Sequence, residues 1–353
     1  MRVDAFDYEL PPERIAQHPT RDREEARLMV LPDAGGAPEH RSVSELPELL
    51  MDQALVVLND TRVLPARLLG TKAETGGKAE IFLVRRIGTR DDLDVWRAMG
   101  KASKGLRFGS EIVAGTLRVK LLGRAEDDGL LEVGLSTTNG VPVDDAIREA
   151  GHVPLPPYIK REDEPLDKDR YQTVFARVDG AIAAPTAGLH LTRALLGRLA
   201  VRGCEVVTLT LHVGLGTFQP VTVEDLDLHP MHSERYEVSR STQGAVARAR
   251  DRDGPVVAVG TTVVRALESV ADPEREGRIQ AGAGDTRLLI QPGHRFRVVD
   301  VLVTNFHLPK STLLALVCAF GGTARVLEAY RTAVREGYRF FSYGDAMLLW
   351  RAR

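Results

Sequence analysis

Three histidines stand where the sequence predicts chemistry: His190 in AAPTAGLHLT, His212 in VTLTLHVGLGTFQP and His307 in VVDVLVTNFHLPKST. Each follows a predicted β-strand and lies near the start of a predicted helix. In open α/β sheets the carboxyl ends of the strands line the ligand crevice. Imidazole is also the side chain whose ordinary pKa lies nearest neutral pH. His190, His212 and His307 are therefore candidate acid–base groups of a proton-transfer site. Taken singly, each also fits a core histidine whose ring bonds to a backbone carbonyl.

Other segments supply binding chemistry. GTTVVR, residues 260–265, joins an apolar strand to a helix. The N–H groups of Thr261 and Thr262 would face outward at the positive end of that helix, suited to a carboxylate or phosphate. Arg265, one turn on, adds a fork of donors. HPMHSERYEV brings His229, His232 and Glu234 together. These are zinc-ligand types, but Pro230 disfavours one continuous helix and no HExxH occurs. A loop using His232 and Glu234 as hydrogen-bonding groups is expected instead. Gly214 and Gly216 in HVGLGTF let backbone approach a ligand closely. Position 219 is Gln, so GxGxxG fails, and the P-loop pattern is missing too. LNDTR places Asn59, Asp60 and Arg62 at another strand end. YRFFSYGDAMLL groups aromatics beside Gly344 and Asp345, as a core or as a wall for a flat ring or a cation. Between Arg85 and Arg107 seven basic residues face three acids, with Trp96 among them. That stretch reads either as solvated hairpins or as a phosphate-tracking patch with a stacking ring.

The elements that must position these residues fall into two textures. ALVVL, residues 54–58, is a buried strand. From 66 to 150, short strands alternate with Gly- and Asp-rich turns, the pattern of a small antiparallel barrel with no long helix. HVPLPPYIKREDEPLDKDRY is an extended connector. Beyond it, AIAAP, EVVTLTLHVG, PVVAVG and RVVDVLVTNFH read as strands alternating with helices. Thr192 and Ser311 cap two of those helices, and Gly203 stops the first. Val301, Val303, Asn305 and His307 are expected on one strand face. The fold class is an α/β main domain, discontinuous over 1–65 and 151–353, with a small antiparallel β-barrel domain inserted at 66–150.

Length and composition agree with two domains of a soluble protein: 353 residues, 43% hydrophobic, 27% charged, net charge −2. The balance shows no global basic field, although a local patch suffices for RNA. Cys204 and Cys318 sit in apolar contexts and read as buried thiols. The N-terminus lacks an apolar signal core, and the longest apolar run, Leu313 to Phe320, is far short of a membrane span. A cytoplasmic protein without membrane association is expected, and a monomer is compatible with everything read here.

Taken together, the segments LNDTRVLPARL, AAPTAGLHLT, VTLTLHVGLGTFQPV, HPMHSERYEV, AVGTTVVRALES, VTNFHLPKSTLLALV and YRFFSYGDAMLL resemble the S-adenosylmethionine:tRNA ribosyltransferase-isomerases. FDYELPPERIAQHP and PLPPYIKREDEPLDKDRYQTVFA match as well, so the resemblance runs from about Val3 to about Leu349. Leu191 and His294 depart from aromatic residues usual in the family, without removing a group assigned to chemistry. The resemblance implies an α/β domain with an inserted barrel. It implies two substrates, S-adenosylmethionine and a tRNA carrying 7-aminomethyl-7-deazaguanine at the wobble position. The ribosyl group moves to the aminomethyl nitrogen and is rearranged, giving epoxyqueuosine with loss of adenine and methionine. No cofactor or metal is implied, because the donor is consumed.

For that chemistry we expect His190 or His212 as the base at the sulfonium-activated C5′ and His307 as the acid for departing adenine. Thr261, Thr262 and Arg265 would hold the donor's carboxylate or a tRNA phosphate. Asp60, Glu234 and Asp345 would hold ribose hydroxyls or balance the sulfonium. Thr186 and Asn305 would add neutral hydrogen bonds, and Asn59, Arg62, Gly214, Thr217, His232 and Tyr343 would complete the substrate site. Arg97, Lys101, Lys104 and Arg107 would contact tRNA. The rivals are a metal-assisted hydrolase using His229, His232 and a third histidine, and a non-catalytic RNA-binding protein. A methyltransferase lacks its glycine-rich donor loop here.

Overall fold

A computed structural model describes residues 1–33, 35–126, 129–214, 216 and 221–352. At its centre four parallel strands lie in the order Glu205–Leu211, Leu55–Asn59, Val256–Val259, Val301–Asn305. Antiparallel pairing adds Glu234–Val238 and Gly282–Thr286 on one side and Ala346–Trp350 on the other. Arg27–Leu31 and Glu39–Ser42 complete a nine-stranded sheet. The inner strands Leu55–Asn59, Val256–Val259 and Val301–Asn305 are mostly apolar and fully buried, as strands covered on both faces are. Leu55 and Val57 join the core under the helices Arg240–Asp251, Thr261–Ser269 and Thr312–Gly321. Val56 and Leu58 join the opposite core, with Leu195 and Leu199 of the helix Arg193–Val201.

The helix caps form as read. Thr192 Oγ1 accepts from the Leu195 N–H at 3.0 Å, and Ser311 Oγ from that of Leu314 at 3.2 Å. Cys204 and Cys318 are free and buried. Among the described residues no single helix is long and apolar enough to cross a membrane.

Six antiparallel strands between Arg67 and Thr137 close into a barrel through Thr71 opposite Val113 and Lys72 opposite Ile112. Closure needs Gly70, since a Cβ there would lie 2.5 Å from the Val113 carbonyl oxygen. Gly151–His152 pairs with the first barrel strand. The insert also holds a helix, Val143–Ala150, that strand texture alone did not predict. Its apolar Val143, Ala146, Ile147 and Ala150 recur at helical spacing and cover the barrel core.

Three local readings are corrected. AIAAP is not the strand. The ladder runs over Val178–Ala181, bulges between Asp179 and Ala181, and is left at Ile182. The strand before His307 ends at Asn305, so the alternation stops there and the His307 ring turns to Thr304 instead of sharing a face with Asn305. Trp96 is 4% exposed inside the barrel core, which rules it out as a stacking ring for RNA.

Candidate active site

A cavity of about 500 Å³ opens at the carboxyl ends of the parallel strands, where the topology places a ligand crevice. One wall is the start of the helix Thr261–Ser269. Gly260, at φ 99°, turns the chain from strand to helix, and its N–H donates to the Val303 carbonyl at 2.7 Å. The left-handed φ favours glycine. No side chain caps this helix, and Thr261 and Thr262 line the cavity. Arg265 follows, 7% exposed. Its Nε donates to the Leu288 carbonyl at 2.9 Å, and its Nη1 donates to Glu234 Oε2. Its Nη2 is buried with no partner. Glu234 Oε1 accepts from the Gly214 N–H at 3.1 Å, so both carboxylate oxygens are engaged.

A second wall is aromatic. The Tyr158 and Phe341 rings lie with centroids 4.2 Å apart, and Tyr158 Oη and Ser342 Oγ share a 2.6 Å hydrogen bond. Burial holds the Tyr158 hydroxyl in its protonated form. Phe341 has φ 72°, a left-handed conformation that costs a bulky residue on the order of 1–3 kcal/mol. Two bonds hold it there: Asn305 Nδ2 donates to its carbonyl at 2.7 Å, and its N–H donates to the Phe306 carbonyl at 3.1 Å.

His307 also faces the cavity. Its Nε2 and Thr304 Oγ1 are 2.8 Å apart. Tyr8 Oη donates to its carbonyl at 2.5 Å, and its own N–H donates to Tyr330 Oη at 3.2 Å. Burial pushes the imidazole down to about 3, so it is neutral at working pH.

The other two histidines do not reach this wall. His190 lies one layer back, with Nε2 3.3 Å from Oδ1 of Asn305, and burial pushes it down to about 4. His212 shares a 2.8 Å hydrogen bond with Thr61 Oγ1 and fills the space that Gly180 leaves open. Burial lowers its pKa too.

Of the remaining expected residues, Thr186, His232 and Asn305 line the cavity with Glu234, Thr261, Thr262 and Arg265. Several others are structural. Asn59 Nδ2 donates to the Leu211 carbonyl and to Thr262 Oγ1, supporting the helix start from behind. Asp60 is taken by Arg177 at 2.8 Å and by Thr210 Oγ1 at 2.7 Å. Arg62 is exposed, 3.7 Å from Asp179. Asp345 accepts the backbone N–H groups of Arg27 and Arg339. Tyr343 Oη donates to Asp167 at 2.7 Å, tying the Pro-rich connector to the main sheet. Arg97 is held by Glu132 at 2.7 Å, with only 13% of its side chain exposed, so it is no phosphate contact. Lys101, Lys104 and Arg107 are exposed on the barrel. Thr217 lies outside the described residues.

Sequence reasoning missed Tyr158, Phe341, Ser342 and Thr304. Tyr158 hid in the connector, whose prolines read only as a linker. The aromatic cluster at the C-terminal end was noticed, but chain spacing could not tell Phe341, which faces the cavity, from Tyr343, which does not. Among the described residues no three His, Cys, Asp or Glu side chains gather as a metal site.

A family model described as queuosine biosynthesis protein matches residues 3–349. The chain is 55% identical to the S-adenosylmethionine:tRNA ribosyltransferase-isomerase of Sorangium cellulosum, over 99% of this chain and 98% of that one. It is 53% identical to the protein of the same name from Anaeromyxobacter sp., over 100% of each. The solved S-adenosylmethionine tRNA ribosyltransferase of Thermotoga maritima is 36% identical, with a TM-score of 0.55 over 98% of this chain and 99% of that one. A match that spans both textures of the chain, with the cavity built from the shared segments, decides the matter: this chain belongs to the queuosine biosynthesis protein family, the enzymes named S-adenosylmethionine:tRNA ribosyltransferase-isomerases.

Proposed function

We propose that this enzyme transfers and isomerises the ribosyl group of S-adenosylmethionine onto 7-aminomethyl-7-deazaguanine at the tRNA wobble position, giving epoxyqueuosine-tRNA, adenine and methionine. The observation that carries the reading is the pairing of walls in one cavity. A buried, unpartnered Arg265 Nη2 beside an uncapped helix start suits the donor's carboxylate. The tilted Tyr158 and Phe341 rings, 41° apart, suit adenine or the sulfonium. The cavity volume falls in the range of small-molecule sites. A pure RNA-binding protein has no use for such a cavity. S-adenosylmethionine is consumed, no other cofactor is required, and a tRNA substrate places the reaction in the cytoplasm. The barrel insert, 66–150, offers Lys101, Lys104 and Arg107 to the tRNA.

His307 is assigned the proton chemistry, alone among the three histidines, because it faces the cavity. It takes the C5′ proton and returns it to departing adenine. His190 acts through Asn305 as a positioning residue.

The test is one incubation with the donor and the deazaguanine-bearing tRNA, followed by adenine, methionine and tRNA mass. The expected result is free adenine and methionine with a ribosyl-sized mass gain. A methyl-sized gain, or no donor consumed by folded protein, refutes the reading. Activity that disappears on exhaustive chelation would favour the hydrolase instead. In His307→Gln, adenine release and C5′ hydrogen exchange should fall together while donor affinity is kept. If only one falls, a single histidine does not carry both steps.

A further inference from the structure

A second, smaller cleft adjoins the cavity and shares Ser342 with it. Thr20, Arg23, Arg170, His190 and Tyr343 line it. Its charges are not balanced. Arg23 donates to the carbonyls of Leu189 at 2.9 Å, Asp169 at 2.7 Å and Gln172 at 2.9 Å. Arg170 donates to the Arg21 carbonyl at 2.8 Å, and Arg339 reaches that of His18 at 3.4 Å. Carbonyls satisfy guanidinium donors but leave the positive charge uncancelled. Among the described residues the one carboxylate within ion-pair distance of these three is Asp345, 3.7 Å from Arg339. Two backbone N–H groups already occupy that carboxylate. Asp169 acts on Arg23 only through space. Arg170 Nε and Arg339 Nη2 are buried without a hydrogen-bond partner, Nη2 being the atom that lies 3.7 Å from Asp345. All three guanidinium groups bear on His190 and help keep it neutral.

Like charges gathered at the edge of a low-dielectric interior repel until a counter-charge arrives. The cleft holds only about 10 Å³ and is open at its mouth, so it cannot enclose a base or a side chain, and an oxyanion would sit across the mouth. Planar guanidinium forks match tetrahedral oxyanions. We propose that this arginine cleft is a phosphodiester site, seating a backbone phosphate of the RNA strand whose modified base enters the adjoining cavity. A base taken out of its stack into a pocket leaves its flanking phosphates at the rim. The proposal rests on the tRNA reading above and adds a grip on the main domain to the one offered by the barrel.

The experiment measures tRNA affinity across a salt series for wild type, Arg170→Gln and Thr20→Glu. Arg170→Gln removes one charge. Thr20→Glu supplies an internal carboxylate, which relieves the repulsion and keeps the fold secure. Each variant should weaken tRNA binding and lower the log–log salt slope by about 0.7–0.9, the loss of one phosphate contact. S-adenosylmethionine affinity should stay at the wild-type value. Slopes equal to wild type in Thr20→Glu would overturn the proposal, because a purely structural arginine cluster leaves them unchanged. Inorganic phosphate that raises the melting temperature of wild type but not of Thr20→Glu, with unchanged tRNA slopes, would assign the cleft to a free anion and overturn the RNA assignment. The two readings fail separately. A wild-type protein that binds tRNA but consumes no donor sinks the enzyme reading, while the slopes still decide the cleft.

Discussion

Replacing Arg265 by Lys tests the donor site at the point where the structure is most specific. The Arg265 guanidinium spends Nε on the Leu288 carbonyl and Nη1 on Glu234, leaving Nη2 buried and unpartnered beside the helix start at Thr261. A carboxylate accepting from Nη2 gains one charge-assisted hydrogen bond, worth about 1.5–3 kcal/mol. At 1.4 kcal/mol per decade that is roughly 10- to 100-fold in affinity. The comparison to make is S-adenosylmethionine against its decarboxylated analogue, by calorimetry. Wild type should prefer the carboxylate form by about that factor. Arg265→Lys keeps a cation beside Glu234 and so avoids stranding a buried carboxylate, which costs about 3–5 kcal/mol when one partner is removed. It cannot reach both Glu234 and the ligand with a planar fork, so the preference should shrink to the few-fold left by the helix terminus. A folded Arg265→Lys that retains the full preference would refute the assignment. A wild type without any preference would place the donor's carboxylate elsewhere.

Two further outcomes follow from burial and charge. Folding lowers His190 from 6.5 to about 4, so the unfolded chain binds the extra proton between those values. The stability this contributes, about 3 kcal/mol, is present above pH 6.5 and lost as pH falls through 4. Melting temperatures of His190→Gln should therefore decline less steeply than wild type over that window, and parallel curves would show that His190 is not buried neutral. On the barrel, glutamate at Lys101, Lys104 and Arg107 should weaken tRNA binding and lower the salt slope, whereas Arg97→Ala should leave the slope alone and destabilise the barrel by releasing Glu132. An Arg97→Ala slope change as large as that of the lysines would reverse the placement.

What was legible in the chain was legible for local reasons. The apolar run at Leu55–Leu58, the caps at Thr192 and Ser311 and the strand-to-helix step at Gly260 each write their structure into neighbouring residues. The start of the helix Thr261–Ser269 was expected to be an anion site on the same basis, and Thr261 and Thr262 do line the cavity. The errors are long-range. Asp345 looks like a ligand group until Arg27 and Arg339, far away in the chain, take both its oxygens. Asp60 is lost to Arg177 and Thr210 in the same way. His190, His212 and His307 carry equivalent local signals, and only packing decides that one faces the cavity and two stand behind it. Tyr158 and Phe341 sit 183 residues apart by their numbers, and no period or spacing joins them.

The depressed basicity of His307 bears directly on whether one histidine can serve both steps. Burial alone sets its low pKa: in the empty cavity, protonation must create a charge where water is scarce. With a sulfonium bound, that charge is already inside. In the proposed step, moving the C5′ proton to the imidazole would leave a net-neutral ylide, its sulfur still formally cationic, beside an imidazolium. The net charge in the cavity would be unchanged, and part of the burial penalty would cancel. Tyr158 and Phe341 offer π faces to the cation before transfer, and Thr304 Oγ1 is within hydrogen-bond reach of the ring after it. Once protonated, a buried imidazole with so low a pKa is a strong acid. Adenine leaves next and needs a proton, and the group that holds one reluctantly is the group best suited to supply it. The burial that makes His307 a poor base in the empty enzyme would, on the proposed mechanism, make it an effective acid one step later. On the proposed mechanism the same proton, taken from C5′ and given to adenine, would return the imidazole to the neutral form in which the fold holds it.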